Sequence, residues 1–113
     1  MTKTSLEVTS EALRTLGVLA EDEAASADQY QRAKAHLDGI FATLDETYSL
    51  APEWTVETVP DRLFLPLSQM VAGSLATGYA LDQYVPLYRV GLAGVMRDER
   101  TGQPRRPTEA AYY

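Results

Sequence analysis

No cysteine occurs among the 113 residues, and histidine and tryptophan occur once each, at His36 and Trp54. The first absence removes disulfides, thiol nucleophiles and thiolate metal sites together, and is compatible with a reducing compartment. The second leaves His36 without a companion for a metal site or a nucleophilic triad. Positive charge is also scarce: 10 Lys or Arg stand against 16 Asp or Glu, a formal net charge of −6. Residues 1–60 hold eleven acids and four bases, a net of −7, whereas residues 61–113 hold five acids and six bases, a net of +1. A body of this sign is not drawn to phosphates by counterion release, which argues against gripping or wrapping DNA but leaves room for DNA to slide past. One stretch, Leu63 to Leu81, lacks charge altogether. Its length approaches a bilayer span, yet Pro66, Ser68, Gln69, Gly73, Ser74, Thr77 and Gly78 dilute it, so it reads as a central core helix and not as a membrane segment. Met1 to Val8 contains no apolar run of the kind a signal peptide needs, so synthesis and retention in the cytoplasm are expected.

What is present is helical periodicity. Thr4-Ser-Leu-Glu7 and Ser26-Ala-Asp-Gln29 are capping boxes, in which the first hydroxyl and the fourth side chain each satisfy an orphaned backbone amide. The first should open a short helix to about Leu16, with Leu6, Ala12, Leu13 and Leu16 on one side and Gly17 as a left-handed cap. The second should open a helix over about residues 27–46, with Tyr30, Ala33, Leu37, Ile40, Phe41, Leu44 and Tyr48 at three- and four-residue spacing. Gly39 interrupts that helix, and a close neighbouring backbone is one reason for it. Residues 49–60 read as an extended loop, with Trp54 either a plug over the core or an interface anchor. Alternation at 54, 56 and 58 permits a short strand or an extended cover strip, but not a sheet. Pro66 either kinks a helix begun near Pro60 or marks its true start, and the regular part should cover about 67–81. There Ala72, Ala76 and Ala80 form a flat strip suited to close helix approach. A fourth helix is expected over about 86–100, with Leu87, Val90, Val95 and Met96 apolar. The fold class is therefore all-α: a small four-helix domain, residues 1–100, with an extended loop and an extended C-terminal arm, residues 101–113.

Catalytic signatures are missing. His36 and Asp38 point to different sides of a helix, which favours a surface or boundary histidine. Glu21-Asp22-Glu23 lacks the alternate-ligand spacing and turn glycine of a calcium loop and reads as solvated charge. Asp45 and Glu46 are adjacent carboxylates without a sign of burial. Gly91 and Gly94 make no phosphate loop. The expectation is a protein that is not an enzyme and takes no cofactor or metal.

The arm is the segment that most needs a partner. Gly102, Pro104 and Pro107 oppose a helix, and extended at about 3.3 Å per residue the arm reaches roughly 40 Å. Tyr112 and Tyr113 offer apolar faces with polar tips, the chemistry of interface anchors, and Arg105 and Arg106 offer forked cations. A docking arm and a frayed, solvated end are both compatible with these residues.

These residues together resemble the head-to-tail connector, or adaptor, proteins of tailed double-stranded-DNA bacteriophages. The resemblance covers about residues 5–100. It rests on Glu11-Ala-Leu-Arg-Thr-Leu-Gly-Val18 in the first helix, the acidic loop, the capped helix from Ser26 to Leu44, Trp54, Val59-Pro-Asp61, and the uncharged 67–81 helix with Met70-Val-Ala72. It implies a virion protein, made in the host cytoplasm, that docks beneath the portal protein as a ring of roughly twelve copies. Such a ring extends the DNA channel, which DNA crosses without sequence-specific binding, and gives tail or nozzle proteins their attachment. It further implies that Arg105, Arg106, Tyr112 and Tyr113 meet the portal or a neighbouring subunit, and that Glu21, Asp22 and Glu23 can face the channel. No membrane is involved. The alternative is a cytoplasmic helical adaptor or regulator that binds one protein partner through its tail.

Overall fold

The computed structural model describes residues 2–47 and 53–102, the last four of them as backbone only. In chain order the elements are β1 (Thr2–Lys3), α1 (Ser5–Thr15), α2 (Ala27–Glu46), β2 (Val59–Pro60), α3 (Asp61–Ala76) and α4 (Leu87–Gly102), with 3-10 turns at Thr77–Tyr79 and Asp82–Tyr84. The protein is mostly helical, a small all-α domain.

Both capping boxes form. The Thr4 hydroxyl accepts from the Glu7 amide at 3.3 Å while Glu7 accepts from the Thr4 amide at 2.9 Å, and Ser26 and Gln29 repeat the exchange at 3.1 and 2.8 Å. Gly17 ends the first helix at φ +79°, a conformation a Cβ disfavours.

Val8, Ala12, Leu13, Ala33, Leu37, Leu44, Leu63, Leu67, Met70 and Val71 meet as a fully buried core around α3, which touches every other helix. Leu6 is not part of it: the side chain is 50% exposed, and Val8 and Thr9 face inward instead. The reason is the helix phase, since Ala12, Leu13 and Leu16 lie over residues 8 and 9 at three- and four-residue spacing. Trp54 is buried against Phe41, ring centroids 5.2 Å apart at 72°, an edge-on packing that covers the core as a plug does.

Three boundaries differ from the sequence expectation. α3 starts at Asp61 and runs through Pro66, whose ring is covered by Gly94 of α4. It stops at Ala76, not at residue 81. Ala80 takes the left-handed conformation, φ 58°, and the Leu81 amide bonds back to the Ala76 carbonyl at 2.9 Å, which closes the helix end. Thr101 and Gly102, read as the first residues of the arm, are the last of α4. The rest of the arm, including Arg105, Arg106, Tyr112 and Tyr113, lies outside the described residues, as do Tyr48 to Pro52 of the long loop.

The remainder of that loop does join a sheet, if a minimal one. β1 and β2 pair antiparallel, Thr2 opposite Pro60 and Lys3 opposite Val59, and Val59 is fully buried. Alternation within the loop could not show this pairing, because its partner lies at the other end of α1 and α2 in sequence.

α4 packs broadly only on α3. A Cβ at Gly91 would meet the Pro66 carbonyl and Met70, and one at Gly73 would meet the backbone of Tyr88. Glycine thus sets the close approach of α3 and α4, while Ala72 and Ala76 of the alanine strip are buried in the core and Ala80 is exposed beyond the helix. Gly39 faces open space, so no neighbouring backbone accounts for it.

Candidate interaction surfaces

Glu21, Asp22 and Glu23 sit exposed in the turn between α1 and α2. Glu23 is partly tied down: its carboxylate accepts from the Ala20 amide at 2.9 Å, and the Arg14 guanidinium donates to its carbonyl at 3.4 Å. Glu21 and Asp22 present their charge to solvent. Arg14 keeps one buried donor, Nε, with no acceptor among the described residues.

His36 belongs to the boundary between α2 and α3. Its Nδ1 lies 2.6 Å from the Ser74 hydroxyl, and burial, then the nearby Arg32 cation, hold its pKa below the ordinary 6.5. Arg32 itself lies over the Tyr79 ring at 5.1 Å. Asp38 instead pairs with Lys34 at 3.2 Å, an exposed pair of the kind that adds little stability. No group of three or more possible metal ligands exists among the described residues. No helix among them is long and apolar enough to cross a membrane.

One polar cluster had no sequence signal. Glu57, from the loop before β2, reaches the start of α1 and accepts from the Ser5 amide at 3.1 Å and from the Ser5 hydroxyl at 2.6 Å. The same hydroxyl is 2.7 Å from the Tyr30 hydroxyl of α2. Glu57 therefore caps α1 from 52 positions away, placing a carboxylate at the positive end of the helix. The Ser5 hydroxyl, then the Ser5 amide, hold its pKa below the ordinary 4.5. A carboxyl whose pKa is lower in the folded state adds stability that is present above 4.5 and is lost as pH falls through the folded value. Glu57→Gln is expected to lose stability at neutral pH and to shrink the fall in Tm between about pH 6 and about pH 3. Thermal melts across that range check this, and an acid slope identical to the parent protein's contradicts the cap.

Two clefts flank the core. One, of about 470 Å³, is lined by Gly73, Ser74, Val85, Pro86, Tyr88 and Arg89 at the start of α4. The other, of about 390 Å³, is lined by Leu6, Glu7, Ser10, Arg14, Ala24, Ala25 and Phe64 beside the acidic turn. Lys3 lies over the Phe64 ring at 5.3 Å. The large apolar side chains left exposed among the described residues are Leu6, Leu65, Val85 and Val90. Of the apolar residues named for the fourth helix, Val95 is buried while Val90 is exposed, because α3 packs on the glycine side of α4.

No family model, no curated protein and no solved structure matches this chain.

Proposed function

We propose that the protein is a structural subunit of a phage head-to-tail junction, a connector that docks beneath a portal and forms a ring around the DNA path. The observation that supports the reading best is the order of parts on one helical body. A capped short helix, an exposed acidic turn, a capped long helix, a buried tryptophan cover and an uncharged central helix follow one another as they do in the family the sequence resembles. The acidic turn suits a passage that DNA must cross without sticking, because a surface of the phosphate's sign offers no ion-pair traps. The docking role falls to Arg105, Arg106, Tyr112 and Tyr113.

The experiment is co-sedimentation of the full chain with an assembled portal ring, followed by electron microscopy of the complex. Occupancy is expected with the parent protein, and replacing Tyr112 and Tyr113 together by alanine should weaken docking by several kcal/mol, the scale of paired hot spots. A docking arm makes few contacts within its own subunit, so on this reading the variant should melt at the parent temperature. Full occupancy by the variant removes the arm from the reading. A monomer that ignores the portal and captures one host protein favours the adaptor alternative.

A further inference from the structure

Two of the four exposed large apolar side chains lie together. Val85 and Val90, 41% and 55% exposed, belong to the outer side of α4 and the turn before it, together with exposed Pro86, Arg89, Ala93 and Arg97 at helical spacing. From Val90 to Met96 α4 carries no charged or hydrogen-bonding side chain, so it is apolar on all sides, yet only α3 covers it broadly. A helix of that pattern is ordinarily buried on all sides. Arg89, on the open side, forms no ion pair among the described residues.

The second patch has the opposite charge. Leu6, 50% exposed, lines the smaller cleft with Ala24, Ala25 and Phe64. Glu7 lines the same cleft, and Glu11 and Glu21 line the pocket that adjoins it across Arg14. One patch is thus apolar with arginines and the other apolar with three carboxylates beside Arg14, and α1, which carries Leu6, Glu7 and Glu11, does not pack broadly on α4.

We propose that the outer strip of α4 in one copy seats on the Leu6 cleft and acidic turn of the next copy, making a head-to-tail contact between copies of this chain. Unlike patches can pair twice across a two-fold axis or once head to tail, and the second arrangement leaves one free patch at each end, so that the contact closes into a ring or continues as a filament. Charge selects the partner: Arg89 and Arg97 approach Glu7, Glu21 and Asp22, while a contact of α4 with α4 would bring like charges together. The contact deepens the ring reading above and rests on it for closure, but the pairing of these two surfaces can be tested without a portal.

The absence of cysteine makes the test direct. Val90→Cys and Leu6→Cys, both at exposed positions, are introduced into the full chain singly and together, and the concentrated protein is oxidised mildly. The two single variants mixed should give dimers that stop at two subunits, and the double variant should give a ladder or a closed ring. Yields should exceed those of a control pair, Val90→Cys with Gln31→Cys, by roughly tenfold, since a seated contact raises the local thiol concentration. Adding Arg89→Glu, or raising the salt, should lower the yield. Val90→Cys dimerising alone as well as in the mixture, or a double variant that stops at dimers, would mean a two-fold contact and overturn the proposal, as would yields no higher than the control pair's. A ladder from a protein that does not occupy the portal sinks the connector reading and leaves the contact standing. Portal occupancy without the preferred pair does the reverse.

Discussion

Gly91→Ala is expected to loosen α4 from the domain while leaving α1, α2 and α3 folded. The added methyl would collide with the Pro66 carbonyl and with Met70, and the first of these is backbone that cannot swing aside. Overpacking of this sort destabilises by about 1–3 kcal/mol, occasionally more. The loss should be local because α4 leans broadly on α3 alone, and the surface ion pair between Arg62 and Asp98, 2.6 Å apart, is too exposed to hold it. Hydrogen exchange reads the result: amides of α4 should lose protection, and those at Leu37 and Leu67 should keep most of theirs. Gly39→Ala is the matched control. Nothing stands within 4 Å of its would-be Cβ, so the change should raise stability by up to about 1 kcal/mol through helix propensity. If both substitutions weaken the protein alike, the close approach at Gly91 is wrong.

Leu37→Ala should be among the most damaging single truncations. The side chain is fully buried between helices, and removing it leaves a cavity that the surrounding leucines fill only partly, at a cost of about 2–5 kcal/mol. That approaches the whole stability of many small domains. Leu65→Ala removes the same atoms from a position 57% exposed and should be close to neutral. Chemical denaturation of the two variants measures the difference, and similar midpoints would contradict the assigned burial. A neutral Leu65→Ala would also leave that side chain free to serve a surface role.

Local signals were the legible ones. The two capping boxes, Gly17 and the spacing of Ala33, Leu37, Ile40 and Leu44 each act within one or two turns, and each appears where the residues place it. What escaped notice depends on partners distant in sequence. Pro66 is tolerated inside α3 because α4 supplies glycines against its ring and carbonyl, and no property of residues 61–76 alone reveals that. The shift from Leu6 to Val8 and Thr9 on the buried side is a local exception, since it follows from the phase that Ala12, Leu13 and Leu16 set within the first helix. Glu57 carries no local signal, because only the fold brings it to Ser5. Of the residues read as solvated charge, Glu21, Asp22 and Glu23 are all exposed.

The tie between Glu57 and Ser5 also has a kinetic meaning. Together with the pairing of β1 and β2 it joins the beginning of α1 to a point 52 residues onward, so α1, α2 and their connection form a closed lasso. Closing a loop of that length forfeits chain entropy on the order of 3–4 kcal/mol beyond a constant. Two strand pairs and one carboxylate cap do not recover this unaided, so the knot of the lasso tightens only after the helices have already met through Leu13, Leu37 and Leu63. The sequential beginning of this protein is therefore among the last parts to acquire its native contacts and among the first to let go.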